Sequence, residues 1–87
     1  MITMHPGEYI SAMFMAPDEL TTTELAEKLE VSVASVSRIL NGKSDVTPRM
    51  ALKLEHVLGR SAESWLSMQS DFSLEKERAA RRSLVSA

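Results

Sequence analysis

Arg38 is the side chain in this sequence best equipped for directed chemistry. Its planar guanidinium can donate two parallel hydrogen bonds, the geometry that matches the O6 and N7 of guanine in a DNA major groove. Ser32, Ser35 and Ser37 lie close by, with hydroxyls able to pair with a base edge or a phosphate oxygen. Val33 and Ala34 offer only apolar contact, for example to a thymine methyl. Interleaved with them, Val36, Ile39 and Leu40 recur at helical spacing and predict a buried stripe. The segment therefore reads as one short helix, apolar behind and small and polar in front. Ser32 is a good N-cap for it, and Asn41-Gly42 ends it, because glycine accepts the left-handed conformation that helix termini demand.

A reading helix needs a second helix to hold it against the groove. Thr21 and Glu24 form the S/T-x-x-E capping box, after which Leu25, Ala26 and Leu29 repeat at helical spacing, small Ala26 leaving room for a close crossing. Val31 closes the turn between the two helices. The pair is a helix-turn-helix, in which the first helix supports and the second enters the groove with its N-terminal residues nearest the bases. Thr22 and Thr23, at the start of the supporting helix, can present hydroxyl and backbone N–H groups to a phosphate, which the helix dipole also favours. An ordinary helical hairpin in a small bundle is the plainer alternative, since caps and stripes occur in any bundle.

The remaining elements follow from similar signals. Pro6 suits a first helical turn, and Ile10, Met13 and Phe14 make an apolar face, which predicts a helix from Pro6 to Met15. Pro17 and Asp18 mark a break before Thr21. Residues 43–46 are a loop, and Thr47-Pro48 begins a fourth helix that carries Met50, Leu54, Val57 and Leu58 inward. Gly59 ends that helix, and Ser61 caps a fifth, with Trp65, Leu66 and Met68 on its apolar face. The expected fold is all-α, a compact five-helix domain over residues 1–74 with the second and third helices as the helix-turn-helix. Residues 75–87 form a charged tail, expected to be a solvated terminus, a flexible arm or an extension of the fifth helix.

Composition removes several function classes. A chain of 87 residues supports one small domain, and the absence of cysteine excludes disulfides and thiolate metal sites and suits a reducing cytoplasm. No apolar run approaches the roughly 20 residues of a membrane span, and the N-terminus lacks a signal peptide's order. His5 and His56 are far apart, without metal-ligand spacing; no G-x-S-x-G or glycine-rich phosphate loop occurs. No enzymatic role, metal or cofactor is expected. The net charge of −2 is unevenly spread, with Arg38, Lys43, Arg49, Lys53 and Arg60 opposed only by Asp45 and Glu55 over residues 31–60. So few cations imply modest DNA affinity per subunit and reliance on a dimer.

The helix-turn-helix resembles that of the phage-repressor class, and Met4-His5-Pro6-Gly7-Glu8 resembles the HigA branch of antitoxins. Ile39-Leu40-Asn41-Gly42-Lys43, Val46-Thr47-Pro48, Ala51-Leu52-Lys53-Leu54, Ser64-Trp65-Leu66, Met68-Gln69 and Asp71-Phe72 run on in similar fashion, so the resemblance covers about residues 4–74. It implies a homodimeric repressor of its own operon that binds double-stranded operator DNA and also silences a small, basic, RelE-like ribonuclease toxin. It further implies backbone contacts from Asn41 and Lys43. Two residues depart from the pattern: Glu30 stands where the family usually has a turn glycine, and Asp45 adds an acid to a loop that relatives tend to make basic.

Trp65, Leu66, Met68 and Phe72 present more apolar surface than five short helices readily cover, which points to a two-fold interface; completion of the monomer core by Trp65 is the alternative. A dimer would set its recognition helices about 34 Å apart on an inverted repeat. Glu8, Asp18 and Glu19 give the N-terminal part an acidic character complementary to a basic toxin. A stand-alone dimeric repressor without a toxin, and a toxin-binding protein with weak or lost DNA binding, remain as alternatives.

Overall fold

Each of the five α-helices starts on a side chain that caps it, the last on Ser61. A computed structural model describes residues 3–85. It contains α1 (Pro6–Ile10), α2 (Thr22–Leu29), α3 (Val33–Leu40), α4 (Pro48–Leu58) and α5 (Ala62–Val85), with no strand among the described residues. The Thr21 hydroxyl accepts the Glu24 N–H at 3.1 Å and the Glu24 carboxylate accepts the Thr21 N–H at 3.0 Å, so the capping box is complete. Those two groups of Thr21 hold the Glu24 carboxyl below its ordinary range. Ser32 caps α3 through the Ser35 N–H at 3.1 Å, Thr47 caps α4 through Met50, and Ser61 caps α5 through Ser64.

The helix ends are closed by residues in the left-handed region. Val31 N–H bonds back to the Ala26 carbonyl and Glu30 N–H to that of Glu27, a Schellman closure around Glu30 at φ 57°. Lys43 and Gly42 repeat the arrangement on Arg38 and Ile39, with Gly42 at φ 71°. Glu30 thus occupies a conformation for which glycine is suited, and an L-residue held there costs roughly 1–2 kcal/mol. Glu30→Gly is accordingly expected to stabilise the fold by about 1 kcal/mol, read as a higher urea midpoint at unchanged slope.

The predicted first helix extends over its expected span but changes hydrogen-bond register. After Ile10 it widens into a π-helical turn, Ser11–Met15, closed by Ala16 N–H on the Ser11 carbonyl at 2.9 Å. That widening rotates the side chains and corrects the expected apolar face: Ile10 is fully buried and Phe14 half-buried, but Met13 is 57% exposed. Gly7 explains why α1 can lie across the end of α3. A Cβ there would collide with the Ile39 carbonyl and stand 2.8 Å from Leu40 Cα, so backbone meets backbone.

The core gathers Ile10, Leu25, Ala26, Leu29, Val36, Ile39, Val46, Ala51, Leu54, Ala62 and Trp65. Trp65 corrects an expectation, because it is 0% exposed and therefore cannot belong to an interface between copies. Tyr9 and Phe14 pack against its ring at centroid distances of 5.8 and 6.1 Å, and the Arg60 guanidinium stacks over it at 5.8 Å. Leu66 and Met68 are half-buried at the core's edge. Residues 75–85 continue α5, a helix of 24 residues or about 36 Å, which accounts for the 46 Å long axis of the molecule against 22 and 21 Å across.

Candidate nucleic-acid interface

α3 is held from behind and left open in front. Val36 and Ile39 are buried against Leu25, Ala26 and Leu29 of α2, and Gly7 of α1 lies across the end of α3. On the other side Ser32, Val33, Ala34 and Arg38 are exposed, and Ser35 and Ser37 half-exposed. The Ser32 hydroxyl donates to that of Ser35 at 2.9 Å while accepting the Ser35 N–H, so the Ser35 proton is left to point elsewhere. The Arg38 side chain makes no hydrogen bond or ion pair among the described residues, leaving both edges of its guanidinium for a ligand. Thr22 and Thr23 sit in the first turn of α2, half-buried and exposed, beside the N–H groups that the capping box leaves unused.

Helix 22–29, turn and helix 33–40 in this order, with a free guanidinium on an outward face, are the parts of a groove-reading unit. The helix-turn-helix family model matches residues 18–65. The chain belongs to the helix-turn-helix family. Antitoxins named HigA are among the proteins it is similar to. The chain is 37% identical over 73 residues to virulence-associated protein A of Dichelobacter nodosus, covering 83% of this chain and 72% of that one. It is 36% identical over 63 residues to antitoxin HigA-1 of Vibrio cholerae, covering 72% and 59% respectively. Its fold is similar to that of Pseudomonas aeruginosa antitoxin HigA solved with the higBA promoter, at TM-score 0.88 and 28% identity over 97% of this chain and 91% of that one.

Within this helix-turn-helix the cations are fewer than their number in the sequence suggests. The Lys53 ammonium donates to the Leu29 carbonyl at 3.2 Å, closing the end of α2. Arg60 donates to the Tyr9 hydroxyl at 2.8 Å and to Ser64 at 2.9 Å, with its plane over Tyr9 at 4.9 Å. Both are structural, which leaves Arg38, Lys43 and Arg49 exposed around the motif. Asn41 turns back onto its own helix, donating to the Ser37 carbonyl at 2.9 Å, so part of its hydrogen-bonding capacity is engaged in capping α3. Lys43 is exposed, one residue beyond Gly42.

The three acids proposed for a toxin are all exposed but do not form one patch. Glu8 lines a cleft with His5, Leu40, Asn41 and Gly42, whereas Asp18 lines a separate groove with Phe14, Lys28 and Val57, and Glu19 adjoins Asp18 in the turn at φ 52°. Phe72 faces His5 edge-on at 5.1 Å and keeps part of its ring exposed.

His5, which the motif reading left without a role, is the N-cap of α1. Its Nδ1 accepts the Gly7 N–H at 2.9 Å, the ring is buried, and Gly42 lies alongside at the end of the recognition helix. Burial pushes the imidazole below its ordinary value of 6.5, against the upward pull of the Ser44 backbone and of Asp45 and Glu8, with Lys76 adding slightly to the downward shift. The folded state therefore favours the neutral ring, whereas the unfolded chain takes up its proton near 6.5. Stability from this group is complete above that pH and falls as the pH drops toward the lowered folded value. The thermal midpoint should decline between about pH 7 and pH 5, and His5→Asn, which can still cap but does not titrate, should flatten that decline. Thermal unfolding followed by circular dichroism at a series of pH values measures it.

Proposed function

We propose that this chain is the antitoxin of a toxin–antitoxin pair. As a homodimer it represses its own operon on an inverted-repeat operator, and it neutralises a small basic RelE-like ribonuclease by direct binding in the cytoplasm. The carrying observation is the outward face of α3. Ser32, Val33, Ala34, Ser35 and Arg38 are presented on a helix locked by Val36 and Ile39, in a fold similar to an antitoxin solved with its promoter. Arg38 is assigned to base reading, Ser35 and Ser37 to a base or phosphate, and Thr22, Thr23, Asn41 and Lys43 to the backbone.

With Trp65 removed from the dimer surface, the half-exposed Leu66, Met68 and Phe72 remain its candidates, and exposed Leu74 continues α5 beyond them. Glu8, Asp18 and Glu19 supply exposed negative charge that complements a basic toxin. No helix among the described residues is long and apolar enough to cross a membrane.

The test has two arms. Light scattering of the purified chain with DNA from upstream of its gene should give two chains per inverted repeat. Co-expression with the small basic protein encoded beside it should yield a stable complex and abolish its RNA cleavage. Operator binding without toxin capture selects the stand-alone repressor. The thin cationic face, three exposed cations beside exposed, apolar Val33 and Ala34, is the one observation favouring the second alternative, a toxin binder with weak DNA affinity. Capture without operator selectivity selects that reading.

A further inference from the structure

We infer that Gln69 of α5 is a positioning residue for DNA binding, setting the loop 43–47 so that Lys43 is delivered beside Arg38. The inference rests on the assignment of the α3 face to DNA. Gln69 is 6% exposed, and burying a carboxamide is unfavourable unless each of its polar atoms finds a partner. Each does. Its Oε1 accepts the Val46 N–H at 2.9 Å, and its Nε2 donates to the Asp45 carboxylate at 3.3 Å and to the Ser73 hydroxyl at 3.1 Å. Two of these bonds go to the loop that leaves the recognition helix, and these two fix which end of the carboxamide faces which partner, since the Val46 N–H can only donate and the Asp45 carboxylate only accept.

The other end of the loop is tied to Arg38 itself. Lys43 and Ser44 both donate their backbone N–H to the Arg38 carbonyl, at 2.8 and 3.2 Å. The segment between these anchors is short, and Val46 pins its far end by burying its side chain in the core. The span from Arg38 to Gln69 thus fixes the backbone of Lys43 relative to the guanidinium proposed to read the base. Asp45 has a part in this as well. This loop acid is paired with Gln69, which holds its carboxylate in one place instead of leaving it to swing toward a phosphate. Loss of Gln69 would loosen Lys43 and release Asp45, and both changes weaken DNA binding.

Gln69→Met keeps the length and removes the hydrogen bonds. On operator DNA, anisotropy titrations of the full chain should show about a tenfold loss of affinity and a salt slope lower by about one, as for loss of one phosphate contact. Lys43→Ala should have a similar effect alone and little further effect in the Gln69→Met background. Gln69→Glu should be weak, since two carboxylates then face each other, and adding Asp45→Asn should recover affinity to within about threefold by exchanging donor and acceptor. This swap also answers the case in which Gln69→Met does not fold. Additive losses from Lys43→Ala and Gln69→Met, an unchanged salt slope, or no recovery in the swap would overturn the inference while the wild type still binds. A wild-type chain that does not select its operator would instead overturn the DNA reading on which it rests.

Discussion

Arg38→Ala is expected to lower affinity for the operator by about 1–3 kcal/mol per subunit while leaving affinity for random DNA nearly unchanged. The guanidinium is exposed and without a partner among the described residues, so its removal is expected to delete an intermolecular contact and little else. Nothing nearby offers the same paired donors. Val33 and Ala34 have no side-chain hydrogen-bonding groups, the Ser32 proton is given to Ser35, and the Ser35 and Ser37 hydroxyls have one proton each. A bidentate contact to guanine is also more specific than any other that this face can make, so selectivity should fall along with affinity. In a dimer both subunits lose the contact, and the effect on a palindromic site approaches twice the single-site value. Anisotropy titrations on operator and scrambled DNA at two salt concentrations read both quantities. Equal losses on the two DNAs, with a smaller salt slope, would reassign Arg38 to the phosphate backbone and leave sequence selection to DNA shape.

Much of this arrangement is legible in the sequence because it is local. The capping box of Thr21 and Glu24, the Ser32 cap and the Asn41-Gly42 terminus each join residues within a few positions, and side-chain type decides them directly. Glu30 was readable for the same reason: the turn requires a left-handed residue whichever side chain occupies it. The features that escape are set by distant packing. Nothing in Ser11–Met15 announces a π-helical turn, which swings Met13 outward while Phe14 packs against Trp65. Lys53 and Arg60 read as members of a basic face until the Leu29 carbonyl and the Tyr9 ring, far away in sequence, are placed beside them. Gln69 acts on Val46 across 23 positions, and a glutamine on a helix carries no local mark of that role. His5 had a nearer clue, since a side chain that can accept from the residue two ahead of it, followed by Pro at the first helical position, is a cap signature.

Trp65→Ala should unfold much of the protein population, and the reason lies in how the core is shared. At roughly 0.05–0.15 kcal/mol per residue, a domain of 87 residues holds about 4–13 kcal/mol in total. Truncating a fully buried tryptophan typically removes about 3–5 kcal/mol, through lost transfer energy and the cavity left behind. Here the loss falls near the upper end. Tyr9 and Phe14 each lose an aromatic neighbour, and Arg60, which stacks over both Tyr9 and Trp65, loses one of its two faces. These contacts join the start of α5 to α1 and its π-helical turn, so the elements that brace the recognition helix from behind loosen together. Urea unfolding at two protein concentrations separates this from a role at a dimer surface. A core residue lowers the midpoint by a similar amount at both concentrations, because the change lies within each chain. An interface residue would leave the isolated chain as stable as before and act only through the concentration dependence of assembly, and that result would return Trp65 to the surface.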